Sequence, residues 1–115
     1  MSEQHVQQAI RLALGTRPDV TLWRNNCGKL PDPRTNRWVE FGVANPGGSD
    51  LIGLRTITIG PEHVGRTMAV FSACEVKTPT GRVRPEQQRF IDFIRSRGGI
   101  AGVARSVEEA QRLFS

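Results

Sequence analysis

Residues 67–90, TMAVFSACEVKTPTGRVRPEQQRF, decide how the fold is read. Ala69, Phe71, Ala73, Glu75 and Lys77 alternate with Met68, Val70, Ser72, Cys74 and Val76, and both sets are largely apolar until the charges at the end. That pattern predicts a central strand covered by a layer on each face. The two-residue repeat also puts Glu75 and Lys77 on one face where the strand emerges, so a carboxylate and an amine can act on one point. Ions placed there need partners or a bound metal to offset their desolvation. After a Pro/Gly turn, Pro85 opens a helix whose apolar stripe is Phe90, Ile91, Phe93 and Ile94. Gln87 precedes Phe90, Ile91 and Ile94 by three, four and seven positions and so shares their buried face. Its amide needs partners there, either a backbone group or the Glu75/Lys77 pair.

Upstream, SEQHVQQAIRLAL (2–14) places Val6, Ala9, Ile10, Ala13 and Leu14 at helical spacing, with Ser2 as N-cap and Gly15 as the stop. Glu3 extends the same stripe into the first turn, where an acid also suits the helix dipole. VTLWRNNCG (20–28) and RWVEFGVA (37–44) read as strands forming a hairpin through the turn-rich KLPDPRTNR (29–37). NPGGSD (45–50) breaks the chain before a further strand, LIGLRTITI (51–59). Downstream, IAGVARS (100–106) is a short strand and Ser106 caps a last helix, VEEAQRLF. The order αββββαβα predicts one mixed α/β domain over residues 1–115.

The 115 residues carry a formal net charge of +5, which favours an anionic partner such as nucleic acid. Of the 16 basic residues only Lys29 and Lys77 are lysines, so an ammonium at position 77 stands out in a chain that otherwise uses arginine. Cys27 and Cys74 have no CxxC or zinc spacing and read as buried free thiols of a reducing compartment. No run is long and apolar enough to span a bilayer and no leader pattern opens the sequence, so a cytoplasmic location is expected.

Asp50, following the paired glycines of PGGSD, and Glu75 offer two hard oxygen ligands to one Mg²⁺, with a backbone carbonyl and waters completing the shell. Two carboxylates, a lysine and a metal in a basic domain suit phosphodiester hydrolysis. Arg82 and Arg84 are the first candidates to grip a nucleic-acid backbone, followed by Arg89, Arg95 and Arg105. His5 and His63 read as surface residues.

GGSDLIG, the strand ending EVKTPTGR, RPEQQRFI, the following GG and GVARSVEEA together resemble the VRR-NUC domain, a branch of the PD-(D/E)xK nuclease superfamily. The resemblance implies a restriction-endonuclease-like mixed β-sheet flanked by helices and a Mg²⁺- or Mn²⁺-dependent cut in DNA. Carried over, Asp50 and Glu75 correspond to the metal-binding acids, and Val76 offers its backbone carbonyl to the metal. Lys77 corresponds to the catalytic lysine, Gln87 to the glutamine of the next helix and Glu3 to the acid of the first helix, near the metal. Small stand-alone members resemble Holliday-junction resolvases, which implies a homodimer acting on branched DNA, four-way junctions or flaps. Such compactness also fits a virus-encoded protein acting in its host cell. The competing readings are a non-catalytic DNA-binding module of the same shape and an assembly protein in which Glu75 and Lys77 form only an ion pair.

Overall fold

The computed structural model describes residues 2–115 and has a mixed α/β architecture, with small sheets flanked by helices. By its internal contacts the chain divides into two compact units, Met1–Arg55 and Thr56–Ser115.

The first unit comprises α1 (Glu3–Gly15), β1 (Val20–Arg24), β2 (Gly28–Asp32), β3 (Arg37–Phe41) and β4 (Leu51–Arg55). Ser2 caps α1 as expected, its hydroxyl accepting the His5 N–H at 3.1 Å. The helix packs on β1, but its stripe is less covered than the periodicity predicts: Val6 and Ile10 are exposed and no α1 residue is buried. In the connection between α1 and β1, the Arg17 guanidinium donates to both Asp19 carboxylate oxygens, at 3.1 and 2.7 Å. These bonds hold the Asp19 carboxyl below the usual range and raise the Arg17 pKa.

The hairpin has a different partner from the one expected. β2 lies inside the KLPDPRTNR segment and pairs antiparallel with β3, while β1 pairs antiparallel with β4. Lys29, Pro31 and Asp32 are poor strand formers, but among the described residues β2 has only β3 as its ladder partner, and a proline is tolerated on such an edge. The order therefore gains one strand over αββββαβα. The strand entered after Asp50 has β1 as its hydrogen-bonded neighbour.

The second unit comprises a 3₁₀ turn (Pro61–His63), β5 (Ser72–Val76), α2 (Pro85–Ser96), β6 (Ile100–Ala104) and α3 (Val107–Leu113). β5, α2 and β6 form a βαβ unit with a parallel ladder from Ser72↔Ile100 to Val76↔Ala104. Ile91, Ile94, Ala101 and Ala104 are its fully buried apolar side chains, each isoleucine contributing about 2–3 kcal/mol by burial. Both α2 and α3 pack on β6, where small residues permit close approach: a Cβ at Gly102 would lie 2.8 Å from Leu113. Ser106 caps α3 by accepting the Glu109 N–H at 3.1 Å.

β6 is thus the strand buried on both faces, whereas on β5 only Ala73 and Glu75 are half-buried and Ser72, Cys74 and Val76 are exposed. This corrects the expectation of a doubly covered β5 and of buried thiols: Cys74 is exposed and Cys27 half-buried. His63 is not a surface residue either. Its side chain is 14% exposed, and its Nδ1 accepts the Gly60 N–H at 2.9 Å. Among the described residues, no helix is long and apolar enough to cross a membrane.

Candidate active site

The end of β5 carries the charged pair, as its alternation requires. Lys77 Nζ lies 3.6 Å from Glu75 Oε1, with the lysine side chain 17% and the glutamate side chain 32% exposed. Each ion offsets part of the other's desolvation. The ladder continues past the strand through the Lys77 N–H, which donates to the Ala104 carbonyl at 3.1 Å. In a parallel ladder this turns the backbone groups of residues 75 and 77 towards β6 and those of Val76 to the opposite edge.

Gln87 completes the cluster from α2. Its Nε2 donates to Glu75 Oε1 at 2.8 Å, while its Oε1 accepts the Arg84 N–H at 2.9 Å. The amide orientation follows from the chemistry, since a backbone N–H needs the oxygen and a carboxylate needs the NH₂. Both partners anticipated for Gln87 are therefore engaged at once, and the amide ties the N-terminus of α2 to the carboxylate of β5. Proline at the first helical position and Gln87 at the third make this possible, because the third residue of a helix can reach back to the N-cap N–H. Beside the bridge lies an open groove of about 320 Å³ bordered by Cys74, Glu75, Glu86, Gln87 and Phe90. Phe90, expected in the core, is 40% exposed there.

The arginines separate into two groups. Arg105 Nη1 donates to the Thr78 and Gly81 carbonyls at 2.6 and 2.7 Å, clamping the turn that follows Lys77. Arg95 Nε donates to the Ala101 carbonyl at 2.7 Å. These two serve the fold. Arg82, Arg84 and Arg89 are exposed, with Arg84 Nε 3.4 Å from Glu86 Oε1. The clamp role of Arg105 was not legible in the sequence, where it is one arginine among 14.

Asp50 and Glu3 belong to the first unit, and both are exposed. Asp50 immediately precedes β4, and its carbonyl accepts the Asn25 N–H at 2.8 Å. The Asn25 side chain fastens the preceding loop, donating to the Val43 and Ser49 carbonyls at 3.0 Å each and accepting the Val43 N–H at 2.9 Å. A Cβ at Gly48 would collide with the Val43 carbonyl oxygen, so the glycine before Ser49 and Asp50 is sterically required. Asn25 is a positioning residue that the sequence reading missed; its only signal is an asparagine pair ending a strand. Glu3 stands in the first turn of α1 behind the Ser2 cap. Among the described residues, no three His, Cys, Asp or Glu side chains gather closely enough to hold a metal.

Residues 27–108 match the family model of the VRR-NUC domain. The chain belongs to the VRR-NUC domain family. The match covers Asp50, Glu75, Val76, Lys77, Gln87 and the three exposed arginines, crosses the boundary between the two units, and leaves Glu3 outside. VRR-NUC domains belong to the PD-(D/E)xK nuclease superfamily, so this is a nuclease-type, DNA-acting domain of a group that usually uses divalent metals. Searches of curated proteins and of solved structures return no match.

Proposed function

We propose that this VRR-NUC domain is a Mg²⁺- or Mn²⁺-dependent endonuclease that hydrolyses phosphodiester bonds in branched DNA, such as four-way junctions and flaps. The observation that carries the reading is the fixed Glu75 carboxylate. Gln87 Nε2 and Lys77 Nζ both meet Oε1, which holds in place the carboxylate that we assign to the cation. The donors we assign to it are hard oxygens of the kind a divalent metal takes: the Glu75 carboxylate, the Val76 carbonyl on the edge away from β6, and the Asp50 carboxylate, with Glu3 as a further acid. When bound, the metal supplies polarisation of the phosphoryl oxygen and a lowered pKa for water.

The chain's own groups do the rest. Gln87 prevents the Glu75 carboxylate from rotating, so its geometry is set before substrate arrives. Lys77, half-buried beside it, orients the attacking water and stabilises charge developing on the phosphate. Arg82, Arg84 and Arg89 hold the DNA backbone and make binding salt-dependent. Two copies paired by a two-fold axis would set two such centres a fixed distance apart, which favours branched over plain duplex DNA. We place this activity in the cytoplasm.

The test is cleavage of four-way, flap and plain duplex DNA in Mg²⁺ or Mn²⁺ by the parent, Asp50→Ala and Lys77→Ala. Cutting of branched substrates by the parent alone supports the proposal. Equal cutting by the variants, or none by the parent alongside metal-independent DNA binding, assigns the chain to a binding role without turnover.

A further inference from the structure

The β2–β3 hairpin carries features that the cleavage centre does not use. Trp38 is 69% exposed on it, a large apolar ring left in water. Indoles are enriched at contact surfaces, where one end is apolar and the other wet. The hairpin is rigid: the Asn36 N–H donates to the Asp32 carbonyl at 2.8 Å, and the Arg34 N–H to Asp32 Oδ1 at 2.9 Å. Trp38 sits opposite Pro31 in the register, and Lys29 with Glu40 follows two positions along the same face. Arg34 projects from the turn with its side chain 93% exposed. Lys29, Arg34 and Arg37 outnumber the hairpin's acids, Asp32 and Glu40, and Lys29 and Arg34 stand 4.0 and 3.9 Å from Glu40 and Asp32.

We infer that this hairpin is a second DNA contact, in which an unpaired base stacks on Trp38 while Arg34 at the turn and Lys29 on the same face meet the neighbouring phosphates. An aromatic face flanked by exposed, loosely paired cations is what single-stranded nucleic acid requires, since every base offers a π-face and every linkage an anion. The opposite face of the hairpin carries Arg37 and the exposed Leu30 and Val39, and its ring, Phe41, is half-buried over Gly28. The inference rests on the DNA-acting reading of the domain and names the part of a branched substrate that it takes, the unpaired strand.

Tryptophan fluorescence tests it without turnover, in buffer free of divalent metal, by titrating the full chain with oligothymidylate. Stacking should quench the parent's emission, and Trp38→Phe, which leaves Trp23, should lose most of that quench. Trp38→Ala should weaken oligonucleotide binding by about tenfold. Arg34→Gln should weaken it less and reduce the salt dependence. Circular dichroism confirms that the variants fold. Quenching that persists in Trp38→Phe overturns the inference. So does unchanged oligonucleotide affinity in Trp38→Ala, including the case where that variant instead turns a dimer into a monomer by sedimentation. Quenching without any cleavage would refute the nuclease reading and leave this contact standing, whereas cleavage without quenching would do the reverse.

Discussion

Gln87 offers the sharpest test of the site's architecture, because its two hydrogen bonds can be separated. Gln87→Met removes both. The bond to the half-buried Glu75 carboxylate, at 2.8 Å, is charge-assisted, and such bonds contribute about 1.5–3 kcal/mol; partial exposure puts it at the low end. The bond from the Arg84 N–H adds about 0.5 kcal/mol, since water can replace it at an exposed helix start. The sum, about 2 kcal/mol, lowers the melting temperature of a chain this size by roughly 8 °C. Gln87→Glu keeps an acceptor for the Arg84 N–H but sets a second carboxylate against Glu75. At pH 8 the repulsion costs about 1–2 kcal/mol after solvent screening. The introduced carboxylate binds its proton more tightly in the folded than in the unfolded chain, so the lost stability returns as pH falls from 8 towards 5. Thermal denaturation followed by circular dichroism at pH 8 and pH 5 reads both effects. A Gln87→Glu variant as stable as the parent at pH 8, with no gain relative to the parent on acidification, would refute the bridge.

Three further outcomes follow from the same geometry. Arg105→Ala should cost about 2 kcal/mol by freeing the Thr78 and Gly81 carbonyls, and Arg105→Lys should recover only part of it, both measurable by urea denaturation. Lys77→Met should reduce cleavage of a four-way junction at least 100-fold while changing its affinity for that junction, measured in Ca²⁺, by less than threefold. The Asp19 carboxyl is held low by Arg17, so its contribution to stability is present above the ordinary aspartate pKa and is lost as pH falls through the depressed value. Asp19→Asn should therefore flatten the acid side of the stability profile, slightly because the pair is exposed.

The grouping of Glu75, Lys77 and Gln87 was legible because it follows from periodicity. The β5 repeat put Glu75 beside Lys77, and the α2 wheel turned Gln87 inward; both are local rules that chain neighbours enforce. What local rules do not encode is which strand pairs with which. β2 contains Pro31 and Lys29 and reads as loop, yet forms a strand because β3 supplies its ladder, and this displaced the expected hairpin. Burial was misjudged for a related reason. β5 and α1 show apolar patterns, but coverage depends on tertiary neighbours, and the small residues of β6 drew the helices there instead. The arginines look alike in sequence; only the carbonyls near Arg95 and Arg105 set those two apart from Arg82, Arg84 and Arg89.

The central claim is that the carboxylates of Asp50 and Glu75 share a divalent ion, and calorimetric titration of Mn²⁺ into the full chain tests it most directly. The account predicts saturable binding by the parent and at least tenfold weaker binding by both Asp50→Asn and Glu75→Gln. Absence of binding by the parent, or binding that either substitution leaves unchanged, would contradict it.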